Sequence, residues 1–229
     1  MKTENKVLMA QAREILKDKW SKSIGIVFLS MAIVMAANFI PVIGWLLTYF
    51  ISGAFLYGTA VYFLNLSRGK EVSIEQLFDG FNHYGRTLGA YLLQMLFIFL
   101  WTLLFIIPGI IAAYSYALVF YILVDEPNLK PLEALRKSKK MMDGNKAKLF
   151  YLGLRFLGWV LLCIPTFGIG FIWLAPYMQA TLVKFYEDTK KNFESSVSTN
   201  TENVNINNTE TVHAETNIET PTEVTQPTI

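Results

Sequence analysis

Residues 87–124, TLGAYLLQMLFIFLWTLLFIIPGIIAAYSYALVFYILV, run for 38 positions without one Asp, Glu, Lys or Arg. A helix rises about 1.5 Å per residue and the hydrocarbon core of a bilayer is about 30 Å thick, so one crossing takes about 20 residues. One helix over this stretch would be about 57 Å long, nearly twice the membrane. Pro108-Gly109 interrupts it near the middle. Proline removes an internal hydrogen bond and glycine permits the turn, so the stretch reads as two spans folded back on each other. Ser23–Ser67 gives the same picture, with 45 uncharged residues broken between Pro41 and Gly44. Leu149–Val183 repeats it over 35 residues, with Arg155 as the one charge and a break from Pro165 through Gly168 to Gly170. This third pair leaves about 17 residues per helix, short for a full crossing, so it is expected to tilt little, to sit in locally thinned bilayer, or to re-enter rather than cross. The expected fold is an all-α membrane protein with six transmembrane helices in three Pro/Gly-tipped hairpins.

Composition agrees. Of 229 residues, 53% are hydrophobic and 17% charged, and mean hydropathy is +0.36. Soluble domains carry about a quarter charged residues, so a soluble enzyme is excluded. The lone Cys163 excludes a disulfide-stapled secreted domain. Ile24–Ile40 has no small-residue cleavage pattern and runs on into another apolar helix, unlike a signal peptide.

The three turns carry no charge, while the cations cluster in 1–23, 66–87, 125–148 and 184–191, with Arg155 apart. Excess Lys and Arg mark the cytoplasmic side, so both termini and the connecting loops are expected there.

Each expected hairpin follows a segment with helical amphipathicity. Leu8, Met9, Ala12, Ile15, Leu16 and Trp20 share an arc in 7–20. Ile74, Leu77, Phe78, Phe81 and Tyr84 do so in 73–84, and Leu132, Ala134, Leu135, Ser138, Met141 and Met142 in 132–143. Such helices either lie in the membrane interface, the favoured expectation, or pack together as a cytoplasmic cap. The six-span domain, 1–191, thus reads as repeats of about 7–72, 73–129 and 130–191. From Asn192 the chain turns to Thr, Asn and Glu, with six acidic residues and no Lys or Arg. Residues 192–229 are expected to be a disordered acidic tail able to recruit a protein partner.

Little here suggests catalysis. No His/Cys/Asp/Glu grouping has metal-ligand spacing and no loop is built for phosphate, so neither an enzyme nor a cofactor is expected, and nucleic acid is not an expected partner. Asp125-Glu126, ending the fourth span, reads as a solvated pair. Arg155 lies about two turns into the fifth span. It can snorkel to the interface, or face inward and hold a lipid phosphate or one of those carboxylates. The strongest patch precedes the fifth span, where Arg136, Lys137, Lys139, Lys140, Lys146 and Lys148 crowd together after Lys130. Juxtamembrane cations attract anionic headgroups at about 1 kcal/mol each, so anionic lipids are the expected partners.

Several motifs resemble one family. They are Ile107-Pro-Gly-Ile-Ile-Ala-Ala-Tyr-Ser-Tyr116, Tyr121-Ile-Leu-Val-Asp-Glu-Pro127, Glu133-Ala-Leu-Arg-Lys-Ser138, Met142-Asp-Gly-Asn-Lys146, Phe156-Leu-Gly-Trp159, Gly168-Ile-Gly170, Pro176-Tyr177 and Phe185-Tyr186. In this order they resemble the bacterial integral-membrane family catalogued as domain of unknown function 975, itself distantly similar to the membrane domain of some glycerophosphodiester phosphodiesterases. The resemblance spans roughly 5–190 and implies a six-span protein of a bacterial plasma membrane, with no activity carried over. The reading is a non-enzymatic membrane protein that organises or senses the envelope through lipid-contacting helices. The alternative is a transporter or channel for a small solute or lipid, with Asn38, Gln94 and Gln179 lining a cavity.

Overall fold

The computed structural model describes residues 3–40, 43–165 and 168–216, and every regular element among them is helical. In order these are α1 (Asn5–Leu16), α2 (Trp20–Asn38), α3 (Gly44–Ser67), a 3-10 turn (Ile74–Phe78), α4 (Asp79–Asn82), α5 (Tyr84–Leu104), α6 (Ile106–Ser115), α7 (Val119–Asp125), α8 (Pro131–Met141), α9 (Lys146–Cys163) and α10 (Phe171–Thr216). Four segments among the described residues are long and apolar enough to cross a membrane: Trp20–Asn38, Leu46–Ser67, Tyr84–Leu104 and Ile106–Asp125. Pro41 lies outside the described residues.

α2 and α3 run antiparallel. At the turn, the Asn38 amide donates to the carbonyl of Val34 (2.8 Å) and to Thr48 Oγ1 (3.0 Å). At the far end, Ser23 and Tyr62 share a hydrogen bond of 3.1 Å. α5 and α6 are likewise paired, with Phe97 and Tyr116 ring centroids 6.0 Å apart and Gly109 against Thr102. α9 and α10 pair from Cys163–Gly170 at their turn, through Phe156–Tyr177 (5.4 Å between rings), to Lys148–Asp188.

The second stretch of the middle pair was expected to be one helix and is two. The chain leaves the helix at Tyr116–Leu118, and the Ser115 carbonyl accepts a hydrogen bond from Ser138 Oγ on α8 (2.8 Å). A buried carbonyl released by a break needs such a partner. The segment expected as one helix over 73–84 is also broken. Its backbone crosses α3 so closely that a Cβ on Gly58 would lie 2.0 Å from the Leu77 carbonyl oxygen, and one on Gly80 2.1 Å from that of Ala54. That crossing sets the path, and the helix yields to a 3-10 turn and a kink at His83.

The amphipathic helices also depart from the interfacial expectation. Leu8, Ala12 and Leu16 of α1, and Ala134, Leu135, Ser138 and Met141 of α8, are buried within the protein. Their apolar arcs meet protein because α1 lies along α9–α10 and α8 packs on α5 and α7. In the middle segment the arc divides, Leu77 inward, Ile74, Phe78 and Phe81 exposed. The deepest side chains include Tyr62, Phe63 and Leu64 of α3, Leu118 and Ile122 at and within α7, and Phe185 and Tyr186 of α10. Towards the turns the apolar surface opens, with Phe39, Leu103, Phe105, Ile106, Ile107 and Ile164 all exposed.

From Lys191 the chain forms a second unit, taken by itself. Its backbone is helical as far as Thr216. Helix propagation adds one hydrogen bond per residue once a nucleus exists. The hydroxyls of Ser195, Ser196 and Ser198 fold back onto the carbonyls of Lys191, Phe193 and Glu194.

Candidate functional site

The charged residues form three groupings at helix ends. The first centres on Asp125, the last residue of α7, whose side chain is 3% exposed. Arg68, just past α3, grips it with two guanidinium nitrogens at 2.8 and 2.9 Å. From α10, the Tyr186 hydroxyl donates at 2.9 Å and Lys190 Nζ lies at 2.6 Å. Beside them Glu187 accepts from Ser67 Oγ (2.6 Å) and Lys184 (3.1 Å). The Asp125 hydrogen bond lifts the Arg68 value further, so its charge is permanent. Burial, then the negative charge of Asp125, pushes the Tyr186 phenol well up, so it stays a donor. The sequence reading of Asp125 as solvated is thereby corrected. A carboxylate this buried requires paired cations.

The second grouping is Arg86, near the start of α5. It donates to the carbonyls of Leu129 (3.1 Å), Glu126 (2.7 Å) and Leu123. A guanidinium at a helix C-terminus satisfies carbonyls the helix cannot and opposes the negative end of its dipole. Arg86 had been counted only as a loop cation. The signal for its role was its place opposite the end of the next span.

The third grouping is the basic patch, which the structure divides. Lys137 pairs with Glu126, and Lys148 pairs with Asp188 at 2.6 Å and lies 5.6 Å from the Phe185 ring centroid. Lys146 is half-buried at the start of α9. Arg136, Lys139 and Lys140 remain exposed on the outer face of α8, with no carboxylate within 4 Å among the described residues. α8 is held rigidly: Pro131 opens it, the Lys130 backbone N–H donates to Glu133 Oε2 at 3.2 Å, and its buried face is locked in the core. Arg155 is exposed on α9. The inward alternative, with Arg155 on Asp125 or Glu126, is corrected, since Arg68 and Lys190 hold Asp125 and Lys137 holds Glu126.

Among the motif residues, Tyr177 donates its hydroxyl to the Met9 carbonyl (3.2 Å), Pro176 stands inside α10, and Trp159 is 56% exposed. Gly44, Gly109 and Gly170 each press against the preceding helix, while Gly168 takes a left-handed φ of +83° in the third turn. Asn38, Gln94 and Gln179 do not converge. A cavity of about 450 Å³ between α2, α3, α5, α7 and α10 is lined by Gln179 together with Ser30, Thr59 and Tyr121, and not by Asn38 or Gln94.

No curated protein and no solved structure matches the chain, so no match extends to glycerophosphodiester phosphodiesterases. A family model described as protein of unknown function (DUF975) matches residues 1–116 and 103–193. Between them these cover residues 1–193, with all three charged groupings, and the chain belongs to that family.

Proposed function

We propose that this chain is a six-span protein of a bacterial plasma membrane, with both termini and α8 in the cytoplasm. In this reading it holds anionic lipid headgroups against α8 and so organises or senses the envelope, without catalysing a reaction. Three antiparallel pairs, each with an apolar turn, support six spans. The cations Lys146, Lys148 and Arg155 account for α9 being less apolar than the other spans. Trp101 stands near the second turn and is exposed, as an aromatic anchor at the far interface would be.

The observation that carries the lipid reading is the unpaired, outward Arg136–Lys139–Lys140 face on a helix fixed by its other face. Each such cation adds about 1 kcal/mol of attraction to an anionic surface. A helix already ordered loses little further freedom on contact. The six acidic residues from Asn192 onward, with no Lys or Arg among them, suit recruitment of a basic protein partner.

The test is lipid enrichment around the full-length protein, reconstituted in equal parts phosphatidylglycerol and phosphatidylcholine and then gently extracted. The wild type should retain phosphatidylglycerol in excess. R136Q/K139Q/K140Q should lose that excess and K137Q should keep it. An unchanged ratio in the triple variant refutes the lipid reading. Labelling of cysteines placed at Lys70 or Lys139 from outside intact cells would refute the orientation.

A further inference from the structure

A cavity of about 380 Å³ opens between α1, the start of α2, α9 and α10. Its walls are almost wholly apolar and aromatic, with Trp20, Trp159, Leu162, Trp173 and Tyr177 prominent. One charged side chain reaches it. Arg13 stands 5.8 Å from the centroid of the Tyr177 ring and has no ion-pair partner among the described residues.

The cavity has a direction. Tyr177 is level with Phe156, and Gly170 with Cys163, so it follows seven residues of each helix from Arg13 to the turn. That is about 10 Å of helix. Trp159, Leu162 and Trp173 along it are each more than half exposed, so it is continuous with the surface that faces lipid. A cation at one end and an apolar slot at the other fit an amphiphile with an anionic head. Lys17, Lys19 and Lys22 outnumber Glu14 and Asp18 in the neighbouring sequence, which favours a net negative headgroup.

We infer that this cavity binds one anionic phospholipid, its phosphate on Arg13 and one acyl chain along Trp159 and Trp173. The site rests on the reading of the chain as a membrane protein, and it is separate from the α8 face. A guanidinium presents a rigid fork to phosphate and the tryptophan faces cover an acyl chain.

Tryptophan fluorescence tests it on the full chain carrying W45F/W101F, which leaves only the three cavity tryptophans. In phosphatidylcholine nanodiscs, a minor amount of chain-brominated phosphatidylglycerol should quench more than equal amounts of brominated phosphatidylcholine or brominated free fatty acid. This comparison needs no further variant. R13Q, checked for helix content by circular dichroism, should lose the excess quenching, R13K should keep it, and R136Q/K139Q/K140Q should also keep it. Equal quenching by the two phospholipids overturns the site, as does undiminished quenching in R13Q. Stronger quenching by the fatty acid overturns the choice of phospholipid. Loss of the excess in the triple variant assigns the lipid to α8 and equally overturns the site.

Discussion

Gly109 lies so close to Thr102, seven residues earlier, that a β-carbon on it would stand 2.1 Å from the threonine hydroxyl oxygen. The same spacing recurs at the other turns, where Gly44 would meet the Ala37 carbonyl oxygen at 2.3 Å and Gly170 the Cys163 sulfur at 2.5 Å. Each return helix therefore starts in a notch cut into the last turn of its partner.

The notches predict a graded response to alanine. Gly44→Ala meets backbone, which cannot rotate away, and should cost the upper part of the about 1–3 kcal/mol typical of overpacking. Gly109→Ala should cost nearly as much, because Thr102 Oγ1 is pinned by its bond to the Ile98 carbonyl at 2.7 Å. Gly170→Ala should cost least, and Cys163→Ala should recover most of that loss. Thermal unfolding in nanodiscs measures all four variants and the coupling of the last pair.

Asp125→Asn should be among the most damaging single changes. It strips the counter-charge from Arg68 and Lys190, and removing one partner of a buried pair costs about 3–5 kcal/mol. Glu126→Gln, one position on, breaks a pair about a third exposed and should cost under about 1 kcal/mol. Comparable melting temperatures for the two variants would contradict the burial described for Asp125.

Arg86→Lys should fail to substitute for the wild type. A lysine cannot reach three carbonyls with a planar fork, and hydrogen bonds from a charged donor are worth about 1.5–3 kcal/mol. Hydrogen exchange at residues 121–130 should rise in R86K nearly as much as in R86A.

Acid should release α1. Burial raises the Asp188 carboxyl, but hydrogen bonds from Lys148 and Thr3 outweigh it and hold the group below its usual range. Folding therefore gains stability from this carboxylate above its unfolded value of about 3.9. The gain disappears as pH falls through the lower folded value. Amide exchange over Asn5–Leu16 should accelerate in that window, and Asp188→Asn should flatten the dependence.

Much of this fold was legible because lipid imposes simple lengths. Uncharged stretches about twice the membrane thickness read as folded back, and Pro165 through Gly170 marked the third turn. The second comes at the extended Phe105, three residues before the expected Pro108-Gly109, which lies in the first turn of α6, where a missing backbone N–H costs nothing. The break at Tyr116–Leu118 was hidden because the group that satisfies its freed carbonyl, the hydroxyl of Ser138, lies 23 residues further on. The split of 73–84 was hidden for a similar reason. It depends on Gly58 and Gly80 meeting backbone of distant elements, which helical periodicity does not register. In the basic patch, sequence density treated Lys137 and Lys148 like Arg136. Only packing separates cations that face acids from those that face outward. Asp125 was visible as a charge at a span end, but its partners at 68, 186 and 190 are too far apart in sequence to be read as one site.

The grip on Asp125, at the end of α7, joins it to a residue just past α3 and to two on α10. Arg68 alone balances that single negative charge, so what α10 adds through Tyr186 and Lys190 is a clasp that fastens the end of α3 to the end of α7.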